Sequence, residues 1–74
     1  MQIRVKLSGA FRVGRFKEEI HDYPPGTSIR QVVDRLQLPE QILGIVLING
    51  MHAGFEDLLR DGDSLTILPI VDGG

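Results

Sequence analysis

The 74-residue sequence predicts an α+β domain in which a mixed sheet of four to five strands packs over one main helix. Three patterns carry this prediction. Ile3, Val5 and Leu7 alternate with polar residues, which is typical of a strand with one buried face. Apolar residues between positions 29 and 36 recur at helical spacing. Residues 45–48 form a short, mostly β-branched apolar run, which indicates a buried strand.

The first two strands are predicted to form a hairpin. Gly9 and Gly14 bracket a loop after the first strand, and the chain resumes an extended pattern over residues 16–23. The Pro-Pro-Gly sequence at residues 24–26 then turns the chain, because proline and glycine interrupt regular structure.

The predicted helix has a clear beginning and end. Thr27 or Ser28 can cap its N-terminus with a hydroxyl oxygen, and Pro39 ends it. Its apolar face comprises Ile29, Val32, Val33 and Leu36.

Two turn signals, Asn49-Gly50 and the Asp-Gly-Asp sequence at residues 61–63, divide the C-terminal half. Between them, residues 51–60 are predicted to form a short strand or turn. We expect a short helical turn there to bring three side chains into the core, namely those of Phe55, Leu58 and Leu59.

The last strand is predicted over residues 64–71, beside the first strand at the centre of the sheet. Alternation places Leu65 and Ile67 toward the core. It places Thr66, Leu68 and Ile70 on the outward face.

Composition narrows the function classes. The chain has no cysteine, which excludes disulfides, thiolate nucleophiles and cysteine-ligated zinc. The two histidines lack companion ligands, so no metal site is predicted. The basic residues are few and lack an aromatic platform, so we expect no nucleic-acid partner. No apolar run approaches the ~20 residues of a membrane span, so we expect a cytoplasmic protein without a membrane partner.

The net charge of −2 is unevenly distributed. Residues 1–20 carry five basic and two acidic side chains, whereas residues 40–74 carry six acidic side chains and one basic one. The acidic half would attract a basic partner surface, or it is simply solvated.

The terminal pair Gly73-Gly74 is unusual. Glycine makes up about 7% of average sequences, so a given pair of positions is Gly-Gly with odds of roughly 1 in 200. Because glycine has no β-carbon, such a tail fits a channel too narrow for a side chain. A frayed terminus is the alternative explanation. We expect a single domain over residues 1–74 with a flexible tail from about residue 71 to residue 74.

Four segments together resemble the MoaD/ThiS family of ubiquitin-like sulfur carrier proteins. They are Val5-Lys6-Leu7-Ser8-Gly9-Ala10-Phe11-Arg12, Val46-Leu47-Ile48-Asn49-Gly50, Asp61-Gly62-Asp63 and Ile67-Leu68-Pro69-Ile70-Val71-Asp72-Gly73-Gly74. In that family a strand ending in Val-Asn-Gly precedes an Asp-Gly-Asp turn and a last strand with a Pro-Pro-Val-x-Gly-Gly type of tail. The first segment resembles the molybdopterin synthase small subunit in particular. The resemblance covers the whole chain and implies a β-grasp fold.

The resemblance also implies a chemistry for Gly74. In this family an E1-like enzyme uses ATP and Mg²⁺ to adenylate the C-terminal carboxylate, and a sulfur donor converts the acyl-adenylate to a thiocarboxylate. The chain would therefore be a protein cosubstrate and not an enzyme, with no cofactor of its own. Its expected partners are the adenylating enzyme and a sulfur-accepting synthase subunit, either the molybdopterin synthase large subunit or thiazole synthase.

The same resemblance implies roles for the residues before Gly74. Gly73, Asp72 and Val71 would lie in the partner's channel. Leu68 and Ile70, apolar and outward-facing just before the tail, would dock against the partner.

The sequence leaves alternative pathways and alternative classes of function open. Within sulfur transfer, the resemblance favours molybdopterin or tungstopterin synthesis, with thiamine thiazole synthesis next. A ubiquitin-like modifier, conjugated to target proteins through Gly74, is a second class. A plain protein-interaction module is a third.

Overall fold

The computed structural model describes residues 1–70. The strands in this range are β1 (Gln2–Leu7), β2 (Glu18–Asp22), β3 (Leu43–Ile48), β4 (Met51–Ala53) and β5 (Ser64–Pro69). The helix α1 spans Ile29–Leu36, and 3-10 turns occupy Gly9–Arg12 and Glu40–Ile42. Residues 1–70 contain no helix that is long and apolar enough to cross a bilayer.

The strands form one mixed sheet in the order β2-β1-β5-β3-β4. β1 and β5 are parallel, with Val5 opposite Leu65 and Leu7 opposite Ile67. β1 pairs with β2, and β3 pairs with both β4 and β5, in antiparallel fashion. The prediction that the first and last strands lie side by side at the centre is therefore confirmed.

One face of the sheet and the apolar face of α1 enclose the core. Leu65 and Ile67 of β5 are fully buried there, as predicted, beside Val5 of β1 and Val32 of α1. The buried apolar side chains among the described residues are Ile3, Val5, Leu7, Phe11, Tyr23, Ile29, Val32, Val33, Leu38, Val46, Leu59, Leu65 and Ile67.

Ser28, one of the two predicted caps, begins α1. Its Oγ accepts a hydrogen bond from the backbone N–H of Gln31 at 3.2 Å, and the Gln31 side chain accepts one from the N–H of Ser28 at 2.9 Å. This reciprocal capping box satisfies two N–H groups that the first helical turn leaves unpaired. Thr27 instead lies buried, and its hydroxyl donates to the carbonyl of Pro24.

The structure differs most from the sequence-based prediction in residues 51–60. After β4 it forms turns and not a helical turn, because the carboxylate of Asp57 accepts a hydrogen bond from the N–H of Gly54 at 2.9 Å. Leu59 is buried and Phe55 packs against the core, but the prediction for Leu58 is wrong. Leu58 is 61% exposed, because an isolated bridge to Ser28 turns its side chain away from the core.

Gly44 lies at a break in the register between β3 and β5, where Leu43 pairs with Pro69 and Ile45 pairs with Leu68. A β-carbon at residue 44 would lie 2.8 Å from the backbone nitrogen of Ile70 and 2.8 Å from the carbonyl carbon of Pro69. Both distances are below van der Waals contact with backbone atoms, which cannot rotate away. Glycine is therefore required for β3 to approach the end of β5 this closely.

We predict that Gly44→Ala lowers the free energy of unfolding by about 1–3 kcal/mol, because the two strands must separate to admit the methyl group. Urea denaturation followed by circular dichroism measures this change. Gly54→Ala is the matched control, since a β-carbon there meets nothing closer than a carboxylate oxygen of Asp57 at 3.9 Å. Equal losses of stability in the two variants would contradict the close-packing argument.

Candidate functional site

The residues predicted to react or to enter a partner's channel, Val71, Asp72, Gly73 and Gly74, lie outside the described residues. The structure instead describes the part of the chain from which they continue. We call residues 68–70, together with the elements that hold them, the tail root.

Hydrogen bonds hold the chain on both sides as it enters and follows the tail root. On one side, the N–H of Ser8, directly after β1, donates to the carbonyl of Ile67 at 3.2 Å. On the other side, the N–H of Ile70 donates to the carbonyl of Ile42 at 2.7 Å. The close approach of Gly44 adds a steric constraint at the same place. The position and direction of the chain are therefore set by the sheet as far as Ile70.

The outward face of the sheet is apolar next to the tail root. Leu68 is half-buried and lies opposite Ile45, which is 46% exposed. Leu47 lies two residues further along β3 on the same face, and Ile70 is 65% exposed just after β5 ends. We call these four residues, Ile45, Leu47, Leu68 and Ile70, the outer apolar patch. It is a contiguous apolar surface on rigid elements beside the tail root.

Only two of the four residues in the outer apolar patch were predicted from the sequence. Leu68 and Ile70 were predicted to face outward, and the structure places them there. Ile45 and Leu47 were assigned to a wholly buried strand, but only one face of β3, which carries the buried Val46, points into the core. An apolar run looks the same whether its second face is covered within the chain or left open for a partner.

Gly44 was also missed as a residue that shapes the tail root. The available signal was its position, because a glycine at the edge of an apolar strand often marks a bulge or a close backbone approach.

Other polar clusters in the described residues have structural partners. The rings of His21 and Tyr23 meet through a 3.2 Å hydrogen bond, and His21 Nε2 lies 2.9 Å from a Glu19 carboxylate oxygen. Burial raises the pKa of the Tyr23 hydroxyl, an effect that the nearby Arg35 guanidinium partly offsets. Within residues 1–70, no group of three or more His, Cys, Asp or Glu side chains is placed to hold a metal ion.

The Asp-Gly-Asp turn is explained by backbone capping. The Asp63 carboxylate accepts hydrogen bonds from the Asn49 side chain at 3.0 Å and from the N–H of Arg60 at 2.8 Å. Asp61 accepts one from the N–H of Gln2 at 2.7 Å. These contacts connect the turn to the start of β1 and to the Asn-Gly turn after β3, at the end of the sheet opposite the tail root.

Solved structures of similar fold include two kinds of small protein. A putative molybdopterin converting factor, subunit 1, from Pyrococcus furiosus is 23% identical, with a TM-score of 0.78 over 96% of this chain and 99% of that one. Small archaeal modifier protein 1 from Haloferax volcanii is 21% identical, with a TM-score of 0.76 over 95% of this chain and 98% of that one.

A third similar structure is a protein–protein complex of subunits 1 and 2 of the molybdopterin-converting factor from Helicobacter pylori. The matched chain is 20% identical, with a TM-score of 0.67 over the full length of both chains. These likenesses establish the β-grasp, ubiquitin-like fold. No curated protein sequence matches the chain significantly.

The family model described as ThiS family matches residues 5–74, which include every strand except the start of β1 and continue through the terminal Gly-Gly. Since the match spans almost the whole sequence, this chain belongs to the ThiS family.

Proposed function

We propose that this chain is a sulfur carrier whose reacting group is the carboxylate of Gly74. The carboxylate attacks the α-phosphorus of ATP on a separate, Mg²⁺-dependent adenylating enzyme, and pyrophosphate leaves. A sulfur nucleophile at the sulfide oxidation level (HS⁻) then attacks the acyl carbon, AMP leaves, and a proton is lost. The resulting thiocarboxylate donates its sulfur to a cofactor-biosynthetic acceptor. Because activation consumes ATP, we assign the reaction to the cytoplasm.

One observation carries the proposal: the ThiS family match continues through Gly74, and the strand that leads to this residue is held at the centre of the sheet. β5 has a neighbour on each side, β1 and β3. A partner that binds the folded domain therefore also receives the tail from a defined point and direction. Such positioning lowers the entropic cost of bringing one carboxylate to a remote active site.

In this proposal the chain acts as a cosubstrate, and the partner supplies the phosphate chemistry and the Mg²⁺. Gly73 keeps the approach to the reacting carboxylate free of side chains, and Val71 and Asp72 line the entrance of the partner's channel. The proposal needs no cofactor held by this chain.

For the sulfur acceptor, we favour a molybdopterin or tungstopterin synthase subunit, with a thiazole synthase as the next candidate. The likeness to molybdopterin converting factor subunit 1 and to the subunit 1–subunit 2 complex supports the first choice. The ThiS family match keeps the second in the proposal.

We expect incubation with the cognate adenylating enzyme, ATP, Mg²⁺ and a sulfur source to raise the mass of the intact chain by about 16 Da, because sulfur replaces one carboxylate oxygen. Intact-protein mass spectrometry measures this change. A variant lacking Gly74 should show no increase, whereas Gly54→Ala, altered far from the tail, should react like the wild type. If the full-length chain forms neither an adenylate nor a thiocarboxylate, the proposal fails.

Docking through the outer apolar patch gives a separate prediction. Ile70→Asp places a charge where an apolar partner surface would bind, and we expect it to lower kcat/KM for adenylation by about 10-fold or more. ATP–pyrophosphate exchange measures the rate. The control is Ile20→Asp, because Ile20 is similarly exposed, 59% against 65%, but lies on β2, away from the tail root. Equal losses in both variants would argue against docking at this patch.

A ubiquitin-like modifier is the second candidate, supported by the likeness to small archaeal modifier protein 1. Here the same activated Gly74 acyl group would pass to a lysine amine and form an isopeptide bond. The candidate predicts higher-mass conjugates of an epitope-tagged chain in cell extract. Immunoblotting should show that deletion of Gly74 removes them, and their absence from the wild-type extract would eliminate this candidate.

A further inference from the structure

The folded chain separates its charges along the direction of β5. The Asp61–Asp63 turn lies where β5 begins, since the N–H of Gly62 donates to the carbonyl of Gln2 at 2.9 Å and the N–H of Arg4 donates to the carbonyl of Asp63 at 3.0 Å. Asp57 lies at the same end, because its carbonyl accepts from the N–H of Ile29 at the start of α1. Asp57, Asp61 and Asp63 therefore lie far from the tail root.

Basic residues of the loop after β1 lie near the tail root instead. Leu7, which pairs with Ile67, is contacted from two directions: its N–H donates to the carbonyl of Lys17 at 2.9 Å, and its carbonyl accepts from Arg12 Nε at 3.0 Å. Arg15 lies in the same loop and hydrogen-bonds the carbonyl of Gln37 at 3.1 Å. All three basic side chains belong to exposed residues.

Lys6 extends this surface onto the outward face of the sheet. It lies opposite Thr66 of β5, so Leu68 of the outer apolar patch is its diagonal neighbour. Glu18 lies opposite Lys6 on β2, but its carboxylate is paired with Arg4 at 2.6 Å. We call Lys6, Arg12, Arg15 and Lys17 the basic collar.

Glu40, an acidic residue near the tail root, is paired with an arginine. Glu40 begins the 3-10 turn that ends at Ile42, the hydrogen-bond partner of Ile70. Its carboxylate is bound by the Arg30 guanidinium at 2.8 Å. The basic collar therefore brings four cationic residues to the end of the sheet that carries the tail root, and Lys6 among them adjoins the outer apolar patch.

We propose that the basic collar binds an acidic rim around the active-site entrance of the adenylating enzyme. This inference rests on the proposed function and specifies the partner surface. The chain combines a cationic collar with an anionic tail, which carries Asp72 and the terminal carboxylate. A complementary partner has an acidic rim, which attracts the collar, and a cationic centre, which attracts the tail. These two attractions orient the domain before the tail enters the partner's active site.

The chemistry of the collar favours a protein over a polyanion. Val13, between Arg12 and Arg15, is 77% exposed, and the outer apolar patch adjoins Lys6. Apolar residues surrounded by charged ones are typical of a protein interface. Asp57, Asp61 and Asp63 would attract a basic partner surface, but they lie at the end of the molecule opposite the basic collar.

The test compares two single charge reversals with the same change in net charge. Lys17→Glu alters the basic collar, and Arg60→Glu alters an exposed cation at the acidic end. The measurement is the Kd between the full chain and the cognate adenylating enzyme, by isothermal titration calorimetry at about 50 mM and about 500 mM NaCl. We expect Lys17→Glu to weaken binding by roughly 3- to 10-fold at low salt and by less than about 2-fold at high salt. Arg60→Glu should stay within about 2-fold of wild type at both.

Four other outcomes would overturn the inference. Equal weakening by both reversals would mean that only the net charge matters, and no effect of Lys17→Glu would mean that the collar is not contacted. Wild-type binding to duplex DNA at 150 mM salt, lost in Lys17→Glu while enzyme binding persists, would assign the collar to a polyanion. Absence of wild-type binding to the enzyme also overturns it. Normal wild-type binding without adenylation would overturn the proposed function alone.

Discussion

The parallel pairing of β1 and β5 is the contact on which the rest of this molecule depends. It joins the two ends of the sequence at the middle of the sheet, with Val5 opposite Leu65 and Leu7 opposite Ile67, all four buried. Parallel neighbours require a long connection between them, and here that connection supplies α1 and the remaining strands. Because β5 has a partner on each side, the chain leaves the sheet at one defined place.

This arrangement explains how a small domain could take part in acyl chemistry at the active site of a partner. Hydrogen bonds fix the folded part as far as Ile70, and the proposed reacting group lies four residues further along the sequence. Recognition and chemistry would then use different parts of the chain. A partner would bind the outer apolar patch and the basic collar, and the tail would carry the acyl group. The same division would serve sulfur transfer and protein conjugation alike.

The helix, the hairpin and the position of the last strand followed from periodicity and turn residues, because local backbone preference and burial agreed there. The prediction failed at Leu58, where spacing suggested a core residue but the bridge to Ser28 reversed the side chain. Such a bridge joins positions 30 residues apart in sequence, so no local pattern contains it. Only Leu68 and Ile70 of the outer apolar patch were predicted from the sequence. Ile45 and Leu47 were not, because the sequence of an apolar strand does not show which of its faces remains exposed.

The sequence by itself determined the fold class, the family and the identity of the candidate reacting residue, because these depend on residue type and order along the chain. Only the tertiary structure decided what surrounds the tail root. Acidic residues are concentrated in the C-terminal half of the sequence, yet β1 carries its following basic loop to the end of β5, and Asp61 and Asp63 lie at the other end. Parallel pairing is the physical reason: it aligns the exits of two strands that lie at opposite ends of the sequence.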